Sequence, residues 1–431
     1  MVLNYIWIGF FLLGFIVALF RVSGYYLQHN YDWFSGIVFD ATDRDVFGAI
    51  VESTFSMAKT SVDIAIYLIG IMALWLGIMK IGERGGAVQL LSRLTSPFFR
   101  RIFPEIPRNH PAMGSMLMNI TANMLGLDNA ATPLGLKAMN QLQSLNKSKD
   151  TASNAQIMFL VLNTSGLTII PVSIMGLRAA ANAANPADIF LPILLTTFIS
   201  TIVGLIAVSI VQKINLLNKV VLLYLGGISA IIGLLFFLLA NMEKDQIAVF
   251  SRSVSGFIIF GFIIFFFILG IKRNINLYES FVDGAKEGFE VAVKIIPYLV
   301  AMLVAIGVFR ASGTLDWITN GIGSLFAWIG FDTRFVDGLP TAFMKPLSGS
   351  GARGTMVEAM QHFGADSFAG RLTSIMQGST ETTFYTVALY YGAVNIKKTR
   401  YTISCGLIAD LAAVLAAIFL MYYFERIGFF G

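Results

Sequence analysis

Four ionisable residues, Asp128, Lys345, Arg353 and Glu381, stand inside stretches otherwise apolar enough to cross a bilayer. Each is set among small polar neighbours. Asp128 follows Asn119 and Asn123 and precedes Asn129 and Thr132. Lys345 and Arg353 flank the run Ser348-Gly349-Ser350-Gly351, and Glu381 lies among Gln377, Ser379, Thr380 and Thr382. An uncharged run, Asn163-Thr164-Ser165-Gly166, breaks a further apolar segment. Desolvating a charge in hydrocarbon costs several kcal/mol, so such groups mark ion or substrate paths by default. The set offers charges of both signs and many hydrogen-bonding groups, which suits the binding of a small polar solute. It offers no covalent chemistry: no nucleophile–base pair, HExxH or GxSxG lies at the breaks, and no P-loop pattern GxxxxGK[ST] occurs in the chain.

Each residue also has a plainer use. Arg353 opens a half-helix, where the dipole already presents positive charge and a cation is disfavoured. An anionic substrate group could offset this, as could Glu381 or Asp128, or the side chain could reach the interface. Glu381 could couple to a proton, or could be the structural partner of Arg353 or Lys345. Asn119, Asn123, Asn163, Thr164 and Ser165 could bind substrate, or could satisfy the backbone groups that a break sets free. Gly349, Gly351 and Gly378 suit tight turns or close packing.

The elements that must position these residues are membrane spans. The chain of 431 residues is 56% hydrophobic and only 13% charged, with mean hydropathy +0.74. Soluble domains carry roughly 25% charged residues. The net charge of +5 resides in short loops, which speaks to topology and not to nucleic acid. Cys405 is the single cysteine, excluding an internal disulfide and any cysteine-based metal site. His29, His110 and His362 are too scattered to form a ligand set, so neither a metal nor a resident cofactor is expected.

In chain order, residues 5–20 read as a retained span and 21–63 as a polar, net acidic segment. Residues 64–81 are a span and 84–106 an amphipathic interfacial helix. Residues 113–139 are too polar to face lipid and read as a re-entrant hairpin, with Thr132-Pro133 starting its second arm. Residues 155–175 are a broken span, and 189–211, 220–240 and 254–271 are plain spans. A mixed-charge linker is expected at 274–290. The order then returns: span 295–309, interfacial helix 314–331, hairpin 338–360, broken span 372–391, plain span 401–424. The expected fold is an all-α polytopic membrane protein, an inverted repeat of two gate domains with about nine transmembrane helices and two re-entrant helical hairpins. Its divisions are 1–62, a first repeat at 63–214, a linking pair at 215–290 and a second repeat at 291–431. The repeat rests on element order, since residue identity between the copies is slight. Placing Arg84, Arg93, Arg100, Arg101 and Arg108, with Lys147, Lys149, Lys213, Lys219, Lys272, Arg273, Lys397, Lys398 and Arg400, inside the cell puts the amino terminus inside and the carboxyl terminus outside. Five crossings separate the repeat starts, so the copies face opposite ways, the layout of alternating-access carriers.

NITANMLGLDNAATPLGLKAM and NTSGLTIIPVSIMGLR resemble the spore maturation protein A family, and KPLSGSGARGTM and MQGSTETTFYTVALYYGAV resemble the spore maturation protein B family. Both belong to the nucleoside-recognition, or gate-domain, group, similar in layout to concentrative nucleoside carriers. The resemblance spans about residues 60–430 and implies a fused inner-membrane gate or carrier. The expected role is a secondary carrier of a nucleoside-like or amino-acid/peptide-like solute, with H⁺ or Na⁺ as the coupling ion. The partners expected are the bilayer, the solute and a second copy of the chain in a homo-oligomer, with no nucleic acid. The alternative is a non-transporting scaffold or regulator of envelope or spore maturation.

Overall fold

The computed structural model describes residues 2–30, 39–107 and 110–430. Asp32 and Arg108 lie outside the described residues, as do the side chains of His29, Asp128 and Asn129. Among the described residues every regular element is helical. In order these are α1 (Val2–Asn30), α2 (Ala41–Arg44), α3 (Val46–Gly85), α4 (Ala87–Ile102), α5 (Pro111–Met124), α6 (Asp128–Leu145), α7 (Asn154–Thr164), α8 (Val172–Ala180) and α9 (Phe190–Gln212). Next come α10 (Lys219–Ala240), α11 (Lys244–Lys272), α12 (Leu277–Ala311), α13 (Thr314–Trp328), α14 (Leu339–Leu347), α15 (Gly349–Phe363), α16 (Phe368–Gly378), α17 (Thr383–Ala393) and α18 (Thr402–Arg426), with a 3₁₀ turn at Arg334–Gly338. Among the described residues, seven helices are long and apolar enough to span: within α1, α3, α9, α10, α11, α12 and α18. The other two expected crossings fall on the broken pairs α7/α8 and α16/α17, whose members are each too short to span alone.

One order of elements occurs twice. A long helix (α3, α12) leads to an amphipathic one (α4, α13), a hairpin (α5/α6, α14/α15), a broken helix (α7/α8, α16/α17) and a closing span (α9, α18). Counterparts pack against each other, and they do so antiparallel. Along α3, Ser53 and Met57 meet Gly307, Met72 meets Gly288 and Leu76 meets Gly284. At its end, Arg84 donates to Asp283 at 2.9 Å. Numbers that rise on α3 therefore meet numbers that fall on α12. A Cβ on Gly284 or Gly288 would strike the backbone carbonyl of Leu76 or Met72, so glycine permits this close approach. On α9 and α18, Phe190 and Leu195 cluster with Leu420 and Phe424, while Leu205 and Val208 cluster with Cys405. Both pairs run head to tail, so the second repeat is inverted relative to the first.

Two local expectations give way. Residues 274–290 are not a linker: α12 is one helix from Leu277, because its charges are matched across to α3. Lys80 lies 2.9 Å from Glu287, and Arg84 lies 2.9 Å from Asp283. The second arm of the first hairpin starts at Asp128, not at Thr132-Pro133, and Pro133 lies inside α6. The Ala131 N–H already donates to the Leu127 carbonyl at 2.9 Å, and a proline so near a helix start forfeits only one further bond. The starts of the first hairpin and of both broken helices are fixed locally. His110 caps α5 with Pro111 at the first helical position. Ser153 and Gln156 form a capping box on α7. Ser367 caps α16.

Candidate functional site

The two broken helices cross at their breaks. The Glu381 N–H, in the linker between α16 and α17, donates to the Thr164 carbonyl at the end of α7 at 2.7 Å. Each hairpin tip rests on the break of its own repeat. The Ile169 N–H donates to the Met124 carbonyl at 2.7 Å. Gly126, at φ +73°, lies so close to the Ile170 carbonyl that a Cβ would collide. In the second repeat, Lys345 Nζ donates to the Gln377 carbonyl at 2.6 Å, Gln377 Nε2 reaches the Gly349 carbonyl at 3.4 Å, and Gly349 abuts the Thr382 hydroxyl. Four half-helix amino ends (α6, α8, α15, α17) and four carboxyl ends (α5, α7, α14, α16) thus gather at one level. Amino ends present N–H groups and positive potential, and carboxyl ends present the reverse. One place in the fold can therefore hold groups of both signs.

The predicted polar residues divide by what they touch. Asn119 Nδ2 donates to the Ala131 carbonyl at 2.8 Å, tying the hairpin arms together. Asn123 Nδ2 donates to Asn163 Oδ1 at 2.8 Å, and Asn163 Nδ2 donates to the Phe159 carbonyl at 2.8 Å. Thr164 and Ser379 return their hydroxyls to the Val161 and Met376 carbonyls. Ser348 caps α15, accepting from the Gly351 N–H at 3.0 Å, with the Ser350 hydroxyl 3.2 Å away. These contacts are spent inside the protein, mostly on backbone groups near the breaks. Ser165 Oγ and Gln377 Oε1 are buried without a hydrogen-bond partner. Thr380 and Thr382 are buried and Glu381 is exposed. Asp128 and Asn129 head α6 and Thr132 lies in its second turn.

Arg353 sits at the start of α15, and its buried Nε has no hydrogen-bond partner. Among the described residues no salt bridge joins it to Glu381, one of the two carboxylates expected to offset it. Glu381 instead engages the first repeat through its backbone.

The sequence reading passed over three features. Asp410 lies in α18, taken for a plain span, and is 4% exposed. A lone carboxylate within an apolar window was the available signal. The others are two loop clasps that join the repeats. At one face the Arg178 guanidinium, fully buried, donates to Asp188 and Asp366 at 2.9 Å each and to the Ala365 carbonyl at 2.6 Å. Arg371 Nε adds a second contact to Asp188 at 2.8 Å. Burial pushes the Asp188 carboxyl above its ordinary value, against the pull of Arg178 and Arg371. At the opposite face the Lys397 and Lys398 N–H groups donate to the Asp150 carbonyl at 2.8 and 2.9 Å. There the Ala152 N–H donates to the Lys398 carbonyl at 3.0 Å, and Arg400 reaches Asn154 Oδ1 at 3.0 Å. Each clasp joins the loop before one broken helix to the loop after the other, so the inverted repeat carries one into the other.

A family profile described as nucleoside recognition, named Gate, matches residues 65–181 and 292–397, one segment in each repeat. Spore maturation protein A of Bacillus subtilis (strain 168) is 43% identical over 171 residues, 40% of this chain and 87% of that protein. Spore maturation protein B of the same organism is 47% identical over 154 residues, 36% of this chain and 85% of that protein. The chain therefore joins an A-like and a B-like part in one polypeptide.

Proposed function

The chain belongs to the nucleoside-recognition Gate family, and on that premise we propose that it is a secondary carrier moving a small polar solute across a bacterial inner membrane by alternating access. The observation that carries this is the convergence of eight half-helix ends at one crossing. Binding sites between inverted repeats are built this way, with amino ends for anionic groups and unwound carbonyls for cations. Arg353, with its unpartnered Nε near the amino end of α15, supplies the charge for an anionic group. Ser165, Gln377, Thr380, Thr382 and the exposed Glu381 supply hydrogen bonds. The family description favours a nucleoside-like solute, and amino-acid or peptide-like solutes share the same chemistry. No catalytic step is involved.

The clasps are the two gates. Both are closed in this structure. The face bearing Lys398 also gathers Arg84, Arg273 and Arg400, and by the positive-inside rule it is the cytoplasmic one. The amino terminus is then inside and the carboxyl terminus outside.

The relatives' names favour a second reading, a scaffold in envelope or spore maturation. A thermal-shift screen of the detergent-purified chain against nucleosides, nucleotides, amino acids and short peptides separates the two. The carrier reading expects a ligand that stabilises wild type but neither Arg353→Ala nor Glu381→Gln. If no compound shifts wild type and both variants merely melt earlier, the scaffold reading stands instead.

A further inference from the structure

Asp410 is a carboxylate more than two turns inside a 25-residue apolar helix. It lies where that helix passes both breaks. Gly406, one turn earlier on α18, touches Thr383 and comes close to the Thr164 hydroxyl, so the two repeats meet α18 together at this turn. Asp410 Oδ2 accepts from the Thr383 hydroxyl at 2.7 Å. The Thr380 hydroxyl also faces the carboxylate. Oδ1 is buried without a hydrogen-bond partner, in a residue 4% exposed. An ionised carboxylate with an empty lone pair at this depth is strongly disfavoured. Lys345 of α14 is the cationic side chain that faces this carboxylate, and its ammonium donates to the Gln377 carbonyl at 2.6 Å; Oδ1 receives no hydrogen bond from it and calls for a proton or a metal cation.

The donor set narrows the choice. It consists of oxygens alone, one carboxylate with threonine hydroxyls, and among the described residues no group of three or more His, Cys, Asp or Glu side chains is placed to hold a metal ion. Hard oxygen donors with a single negative charge suit a monovalent cation better than a divalent one. The acid also belongs to one repeat only: counted from the first residue of each helix, Asp410 on α18 corresponds to Phe198 on α9. Pseudosymmetric packing does not demand it there.

Extending the carrier reading, we propose that Asp410 is the coupling group, taking up a monovalent cation, H⁺ or Na⁺, through Oδ1. Thr383 is the first residue of α17, two positions after the Glu381 N–H that joins the repeats. An ionised Asp410 holds the Thr383 hydroxyl and the amino end of α17 against α18. Cation binding at Oδ1 neutralises it and loosens that hold, so loading reaches the crossing directly. When the cation is a proton, it adds to the carboxylate to give the neutral acid and nothing else changes covalently.

The experiment uses the full-length chain in detergent with no solute added. Melting temperature is measured in Na⁺ against choline at fixed pH, and then across pH in choline, for wild type, Asp410→Asn and Thr383→Val. A response to Na⁺ identifies a sodium site, and a pH response above the acid limb that surface carboxylates such as Asp332 give every variant identifies a proton site. Asp410→Asn should lose whichever response wild type shows. Thr383→Val, which keeps the carboxylate, should retain the response with a shifted midpoint. The proposal is overturned if wild type responds to neither cation, or if Asp410→Asn responds as wild type does. Should Asp410→Asn fail to fold, an unshifted Thr383→Val response overturns it. A lost response in a chain that binds no solute would sink the carrier reading and leave the cation site. Solute binding whose cation dependence is unaltered in Asp410→Asn would do the opposite.

Discussion

Removing Arg178 tests whether the buried clasp is a gate or a staple. Its guanidinium is fully buried, and it holds Asp188, 4% exposed, and Asp366, 34% exposed. Deleting one partner of a buried ion pair typically costs about 3–5 kcal/mol. Asp188 keeps Arg371 at 2.8 Å, and Asp366 keeps the Ala184 N–H at 2.8 Å, so the low end, about 3 kcal/mol, is appropriate. If that energy holds the face shut, Arg178→Ala shifts its open–closed equilibrium by roughly 150-fold. The opposite clasp rests on backbone bonds, and its ion pair, Asp150–Lys398 at 3.7 Å, is largely exposed. Exposed pairs contribute about 0–1 kcal/mol, so Asp150→Asn should change opening there by no more than about fivefold. The assay is the rate at which a membrane-impermeant maleimide labels Ala365→Cys, a position 6% exposed behind the clasp, with the buried Cys405 replaced by alanine. Labelling should quicken by two orders of magnitude in Arg178→Ala while the chain remains folded. A lower melting temperature with an unchanged labelling rate would refute the gate and leave a structural tie.

Other consequences can be checked on the same preparations. Gly288→Leu would drive a side chain into the Met72 carbonyl, so α3 and α12 should separate and melting should fall sharply, while Gly226→Leu, in open space on α10, should be near neutral. Ser348→Ala removes the cap on α15 and should cost about 1 kcal/mol in chemical denaturation. Hydrogen bonding from Arg334 holds the Asp332 carboxyl below its ordinary value. A depressed carboxylate stabilises above its unfolded value, near pH 4, and loses that contribution as pH falls through the folded value. Arg334→Ala should therefore lose that small contribution at neutral pH and converge with wild type well below about pH 4, so its melting curve falls less steeply on the acid side. An identical acid limb in the variant would exclude the pair.

Much of the fold was legible because lipid enforces it. Apolar runs of span length, and polar interruptions such as Asn163-Thr164-Ser165-Gly166, located the seven span-length helices, the two broken helices and both hairpins. What stayed hidden depends on partners far along the chain. Residues 277–290 look like a linker until Glu287 and Asp283 find Lys80 and Arg84 on α3. The Arg178 clasp joins residues 188 positions apart, to which sequence spacing gives no clue. Pro133 was read as a helix start, but its cost within the first turns of α6 is small enough for the hairpin to absorb. For the site, residue types alone left the Arg353 charge open between a substrate group, Glu381 or Asp128 and the interface, because the crossing that brings the Glu381 N–H to the Thr164 carbonyl depends on residues over 200 positions apart. Asp410 went unremarked because one carboxylate barely alters the mean hydropathy of a long helix.

The most direct test is to follow both clasps in the same sample. Spin-label pairs at Ala184 with Ser367, and at Lys147 with Lys397, would report each face by pulsed dipolar spectroscopy in lipid nanodiscs, across cation conditions and with the ligand found by thermal shift. Alternating access predicts that populations with one pair separated retain the other pair at its closed distance, and that ligand raises the fraction closed at both. Distances that lengthen together, or that never depart from the closed values under any condition, would contradict it.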